Sequence, residues 1–159
     1  MKEITYPVLT KRLKLRPLTM SDLDDVYEYH RQPEVVRYMY WEPKTRLETK
    51  AKLEQNMTHM QFTGEGSSLV LAVELPEPET VIGEMTLFWR SEKHQQGELG
   101  CVFNPVYHGR GYATEAAAAI LSLGFDYLDL HRIYGRCDAR NVGSYKLMER
   151  LGMRRKAHF

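Results

Sequence analysis

Residues 98–128 hold the pattern that most narrows the fold. An apolar run from Glu98 to Phe103 is cut off by Asn104-Pro105, a loop with glycines at 109 and 111 follows, and apolar residues then recur at helical spacing. Proline has no N–H to give to a ladder, so the run reads as a strand that stops there. Ala117, Ile120, Leu121, Gly124, Phe125 and Leu128 then fall at i, i+3 and i+4. That spacing makes Ala113 to Leu128 an amphipathic helix lying on a sheet.

The rest of the chain alternates in the same way, without repeats or low-complexity tracts. Lys11 to Pro17 alternates basic and apolar residues with period two, which reads as a half-buried first strand. A helix from Ser21 to His30 follows, with Ser21 at its start and acidic residues in its first turn, where they favour the positive end of the dipole. Thr45-Arg46-Leu47-Glu48 is a capping box that opens a second helix, expected to reach about Gln61. Between these helices Tyr38-Met39-Tyr40-Trp41 is either core packing, a loop anchored by its rings, or a wall for a substrate. Leu69 to Leu75 and Val81 to Trp89, divided by Pro76-Glu77-Pro78-Glu79, predict an antiparallel hairpin at the middle of the sheet. Arg132 to Asp138 supplies a further strand. Asn141 then caps a short helix presenting Ser144, Leu147, Met148 and Leu151 on one face and stopped by Gly152.

Composition excludes several classes. At 159 residues the chain makes one domain, 1–159, with a single core. Its 22 basic and 21 acidic residues leave a net charge of +1, which gives no global field for nucleic acid or an anionic membrane. No apolar stretch has the length of a signal peptide or a membrane span, and a cytoplasmic location is the expectation. Cys101 and Cys137 sit in apolar strand-like runs and read as buried free thiols. The six histidines show no metal-ligand spacing, so no metal is expected.

Val106-Tyr107-His108-Gly109-Arg110-Gly111-Tyr112-Ala113-Thr114-Glu115 is the segment with chemical content. Glycines let the backbone approach a ligand, and the first N–H groups of the following helix lack partners within it. With about half a positive charge from the dipole, such a turn can hold a pyrophosphate. A nucleotide-triphosphate loop would need Lys-Ser or Lys-Thr after the glycines, and a dinucleotide fingerprint would need a third glycine where Thr114 stands. Neither is present.

His108-x-x-Gly111-x-Ala113 resembles the Q/R-x-x-G-x-G/A coenzyme A loop of the GNAT N-acetyltransferases, with histidine departing from the first position. Thr10 to Pro17, Gly109 to Ala116, Leu130-His131-Arg132 and Asn141 to Met153 extend the resemblance to the RimJ/RimL branch and over nearly the whole chain. The resemblance implies an α+β fold: a mixed, mainly antiparallel central sheet with helices on both faces. The strands holding Cys101–Phe103 and Gly135–Asp138 splay apart to admit pantetheine. Backbone near Val102 and Phe103 would pair with its amides, residues His108, Gly109, Arg110, Gly111, Tyr112, Ala113 and Thr114 would surround the pyrophosphate, and Asn141 would hydrogen-bond the arm. Acetyl-CoA is thus the implied co-substrate, and a small-molecule amine or a peptide N-terminus the implied acceptor.

Acetyl transfer needs a neutral amine, an oxyanion partner and a proton for the departing thiolate. Freeing an alpha-amine of its proton at pH 7 costs about 1.1 kcal/mol, and a lysine-type amine about 4.6 kcal/mol. Glu98, at the start of the splayed strand, is the candidate base, with Glu84 on the preceding strand as competitor. Where many GNAT enzymes carry a proton-donating tyrosine, this chain has Met148, and Ser144 resembles the serine given that task in the RimL-like branch. Both Asn141 and Ser144 also fit plain helix-start chemistry. The family pattern runs on through one more strand than this sequence, so a shortened chain or an edge completed in a homodimer is expected. Absence of that strand and of the tyrosine also admits a non-catalytic acyl-CoA-binding module.

Overall fold

The structure, a computed structural model, describes residues 3–37, 42–135 and 142–153, with the side chains of residues 142–145 left outside it. Its described strands form one six-stranded sheet whose spatial order follows the sequence: β1 (Val8–Leu9), β2 (Lys14–Pro17), β3 (Ser68–Pro76), β4 (Glu79–Ser91), β5 (Gln96–Phe103) and β6 (Arg132–Gly135). Each neighbouring pair is antiparallel except β5 and β6, which run parallel. The sheet is thus mixed and mainly antiparallel, as the resemblance implies.

β3 is buried on both faces from Ser68 through Glu74, which explains why its sequence is a continuous apolar run rather than an alternation. One face carries Leu15, Leu71, Met85, Leu87, Leu99 and Phe103 against Ala116, Ala117 and Ile120 of α4 (Tyr112–Ser122) and Leu147 of α5 (Val142–Arg150). On the opposite face Val70, Ala72 and Val81 pack against Val26 and Tyr29 of α1 (Leu23–His30) and Leu53 of α3 (Arg46–Asn56). Between α1 and α3 lies the single turn α2 (Pro33–Val36). Helices therefore cover both faces.

Several boundaries differ from the sequence reading, each for a local reason. The first helix opens one residue early, as a 3-10 turn over Met20–Asp22, because Asp22 Oδ2 accepts the Thr19 N–H at 2.8 Å. Ser21, expected to begin the helix, instead bonds Thr19 Oγ1 through its hydroxyl at 2.7 Å. The Thr45–Glu48 capping box forms reciprocally, at 2.9 and 3.1 Å, but α3 ends at Asn56 rather than near Gln61. α4 gives way after Ser122 to a π-helical turn, Leu123–Tyr127, in which the Leu128 N–H reaches back to the Leu123 carbonyl at 2.9 Å. The expected strand to Asp138 is described as far as Gly135, and Cys137, Asp138 and the aromatic residues 38–41 lie outside the described residues.

Candidate functional site

Among the described residues, β5 and β6 are paired from Gln96↔Arg132 to Leu99↔Gly135. Beyond Leu99, residues Gly100 to Phe103 of β5 stay bonded to β4 on one side and have no partner on the other among the described residues. This bare side of Cys101, Val102 and Phe103 is where a pseudo-strand can add, because its N–H and C=O groups need partners. Val102 faces the α1–α3 layer, whereas Phe103 is buried in the core under α4.

The chain leaves β5 through an anchored turn. Asn104 donates its N–H to the Ile82 carbonyl at 2.9 Å, and its side chain accepts the Val106 N–H at 3.1 Å. A 3-10 turn over Pro105–Tyr107 ends at His108, whose N–H bonds the Pro105 carbonyl at 3.0 Å and whose side chain is exposed. Gly109 and Gly111 both stand at φ +79°, a left-handed backbone that L side chains rarely adopt. Gly111 is the N-cap of α4, and the first bond of the helix is Glu115 N–H to the Gly111 carbonyl at 3.0 Å. The N–H groups of Tyr112, Ala113 and Thr114 precede that bond and have no acceptor inside the helix. Such a helix start can seat an anion.

Glu115 in the first turn would oppose an anion, and its charge is taken up nearby. Its Oε2 accepts Thr10 Oγ1 at 2.5 Å and the Arg12 N–H at 2.8 Å, and its Oε1 accepts Arg12 Nε at 2.7 Å. Burial works to raise this carboxyl, but the bonds from Thr10 and Arg12 outweigh it and hold the group below its ordinary range. Arg12 also donates to the Arg110 carbonyl at 2.9 Å and lies over the Tyr112 ring at 4.5 Å. The Arg110 guanidinium lies 5.8 Å from the Tyr107 ring, and Thr114 Oγ1 receives Arg150 Nε of α5 at 3.4 Å. Arg12 was not singled out from sequence, although its basic run precedes β2, because its partner is 103 residues away.

Glu98 lies in the paired half of β5, opposite Phe88, and its Oε1 accepts Arg90 Nε at 2.9 Å. Glu84 lies opposite Val102, beside the bare half. It is buried, and its Oε2 accepts Tyr29 Oη at 2.9 Å and meets His30 Nε2 at 2.5 Å. Burial first, and the Glu84 charge second, push the Tyr29 hydroxyl well above its ordinary range. Neither Tyr29 nor His30 stood out in the sequence, where both read as parts of a helix. Asn141 lies outside the described residues, and Ser144 is described only as part of α5. Met148 of α5 fills the space a side chain at Gly135 would need, which packs this helix against the end of β6. Among the described residues no helix is long and apolar enough to cross a membrane, and no three His, Cys, Asp or Glu side chains gather as a metal site.

The family model described as an acetyltransferase (GNAT) domain matches residues 12–154. The uncharacterized N-acetyltransferase YnaD of Bacillus subtilis is 36% identical over 152 residues, covering 96% of this chain and 85% of its own. Spermidine N(1)-acetyltransferase of Escherichia coli is 27% identical, covering 88% of this chain and 72% of its own. A GNAT-family acetyltransferase structure from Bacillus anthracis superposes with a TM-score of 0.84 at 32% identity, over 97% of this chain and 87% of that one. A Vibrio cholerae spermidine N-acetyltransferase in complex with CoA and spermine shares the fold, with a TM-score of 0.78 at 22% identity over 94% and 85% of the two chains. With its parallel β5–β6 pair, its glycine-capped α4 and these likenesses, the chain belongs to the GNAT acetyltransferases.

Proposed function

We propose that this acetyltransferase moves the acetyl group of acetyl-CoA to a primary amine, either a small-molecule amine of the polyamine kind or the alpha-amine of a peptide. One observation carries the reading: the left-handed backbone at Gly109 and Gly111 leads into α4, whose first N–H groups have no acceptor inside the helix. A long donor with an anionic head and an amide-bearing arm fits that helix start and the strand before it. The loop residues His108 to Thr114 would receive the diphosphate, with Arg110 adding charge at the rim. Main chain at Val102 and Phe103 would receive the arm, and Asn141 would bond it further along.

Likeness to spermidine acetyltransferases supports the polyamine side of this reading. The segment Asn141 to Met153 supports assignment to the RimJ/RimL-like branch, and with it Ser144 as the group that returns a proton to the departing thiolate. Glu98 is the first candidate for the opposite task, and its carboxylate is engaged by Arg90.

Thiol release from acetyl-CoA, followed over a panel of polyamines, peptides and amino sugars, tests donor and acceptor together. Ser144→Ala should lower kcat about 10- to 100-fold, the lower part of the range for a proton-transfer group, with coenzyme affinity within a factor of about two by calorimetry. A chain that binds coenzyme A yet releases no thiol with any amine would sink the proposal.

A further inference from the structure

We infer that a cavity at the end of the sheet away from the Gly109–Gly111 loop is a second ligand site, which takes a small organic cation with an apolar body. The cavity measures about 590 Å³, within the roughly 300–1,000 Å³ of small-molecule sites. Its floor is the buried pair Phe62 and Trp89, stacked with ring centroids 5.2 Å apart and planes 11° from parallel. Half-buried Tyr127 and Leu128 form a wall, and the Tyr127 hydroxyl donates to the Glu3 carbonyl. Asp129 and His131 stand exposed at the rim, with Gln95 beside them.

The place is remote from the donor loop. Trp89 and Gln95 lie where β4 passes into β5, whereas the loop follows Phe103 at the other end of β5. At about 3.4 Å per residue, the length of β5 sets the two places roughly 20 Å apart. α4 and its π-helical turn run back over the same distance and deliver Tyr127 to the cavity.

Three departures from regular backbone meet there. Among the described residues, the non-glycine residues with left-handed backbone are Gln95, at φ 51°, and Asp129, at φ 59°, and both line the cavity. The π-helical turn Leu123–Tyr127 is the third. Main-chain bonds hold these pieces in place: the His131 N–H donates to the Gln95 carbonyl at 2.8 Å and the Leu130 N–H to the Gly124 carbonyl at 2.9 Å. Left-handed backbone is costly for an L side chain, and both it and π-helical turns recur where proteins hold ligands. In the floor, Trp89 Nε1 is buried and finds no acceptor among the described residues, a further sign of an incomplete environment.

The lining sets the class of ligand. Three rings and Leu128 offer apolar surface, and Asp129 is the carboxylate among the lining side chains. No lysine or arginine is among them, and the guanidinium of the neighbouring Arg132 lies 5.7 Å from the Tyr134 ring. An ammonium beside Asp129 stays at the wet rim, where its desolvation costs little, while an apolar body displaces water from the floor.

Benzyltrimethylammonium is the probe, because it carries a ring and a fixed charge and has no N–H to acetylate, so the result does not depend on the acetylation reading. Trp41 and Trp89 are the two tryptophans of the chain, and their indole N–H signals in a nitrogen–proton NMR spectrum are told apart by Trp41→Phe and by the contacts of Trp89 with Phe62. At pH 8 the Trp89 signal of the full chain should shift saturably, with half-saturation on the order of 1 mM, and equally so under saturating coenzyme A. Benzyl alcohol, which is uncharged, should bind about three- to fivefold more weakly, and the anion phenylacetate more weakly still. Asp129→Asn, which keeps a residue tolerant of left-handed backbone, should erase the preference for the cation over the alcohol. A shift confined to Trp41, no saturation below about 20 mM, or a shift cancelled by coenzyme A would each overturn the inference. So would phenylacetate binding as well as the cation, or a cation preference undiminished in Asp129→Asn.

Discussion

Gly111→Ala isolates the physical basis of the coenzyme loop, with Gly109→Ala as its comparison. Both glycines stand at φ +79°. Forcing an L residue into the left-handed region costs about 1–2 kcal/mol, and the stiffer unfolded chain returns about 0.4–1 kcal/mol. At Gly109 nothing lies within 4 Å of an added methyl, so about 0.5–1.5 kcal/mol of lost stability is the whole effect. At Gly111 the methyl would stand 3.3 Å from Arg12 Nη2, so the guanidinium must give way. Disturbing the half-exposed Arg12–Glu115 pair adds up to about 1 kcal/mol. The expected sum for Gly111→Ala is about 0.5–2.5 kcal/mol, or roughly 1–10 °C in Tm for a domain of this size. Thermal unfolding followed by circular dichroism measures both variants, and calorimetry with coenzyme A measures the seat. Gly111→Ala should also weaken the coenzyme more than Gly109→Ala does, because Gly111 caps the helix whose N–H groups form the seat. Gly111→Asn, which tolerates the left-handed region, should recover most of the stability. A Gly111→Ala protein as stable as wild type refutes the strain argument, and unchanged coenzyme affinity in a destabilised variant refutes the seat.

Two further outcomes follow from charge and burial. Arg16 grips Asp22 through two bonds of 2.9 and 2.8 Å and also reaches Glu74 at 2.9 Å. Burial raises the Asp22 carboxyl, but Arg16 and the Thr19 N–H outweigh it and leave it below its ordinary range. Its stabilisation is therefore full above the ordinary carboxylate range and is lost as pH falls through the depressed folded value. Asp22→Asn should cost about 3 kcal/mol near neutrality by leaving Arg16 short of a partner, and Tm measured from pH 7 down to pH 3 should fall less steeply than for wild type. Burial pushes the Cys101 thiol up to about 11. In a Cys137→Ser background, Cys101 should react with a disulfide reagent at pH 7.5 about 100-fold more slowly than an ordinary thiol, and a rate equal to that of free cysteine would contradict this.

The fold was legible where one residue type has one structural use. Pro105 ended β5, the Thr45–Glu48 pair opened α3, and the proline-rich break at 76–79 joined β3 to β4. Boundaries failed where neighbouring residues compete for one role. Thr19 and Ser21 both offer a hydroxyl, and the carboxylate of Asp22 decided the start of the first turn. The end of α4 was hidden because the i, i+3, i+4 pattern continues through Phe125 and Leu128 while the backbone loosens into a π-helical turn. At the site, the loop could be read because its chemistry is local. Glu84, Tyr29 and His30 are 54 and 55 residues apart in pairs, so only the docking of α1 on the sheet brings them together. Arg12 was invisible for the same reason, as one basic residue in a basic run.

In the proposed donor seat, the bridge from Arg12 to Glu115 brings in a residue that precedes β2. Leu13, immediately after it, is fully buried in the core that α4 covers, so the bridge is fixed to the sheet rather than hanging from a free end. Stripping away the first dozen residues would expose a carboxylate within one turn of the helix end that should attract phosphate. Coenzyme would then be repelled although every loop residue remained in place, and restoring a single guanidinium at that spot should bring it back.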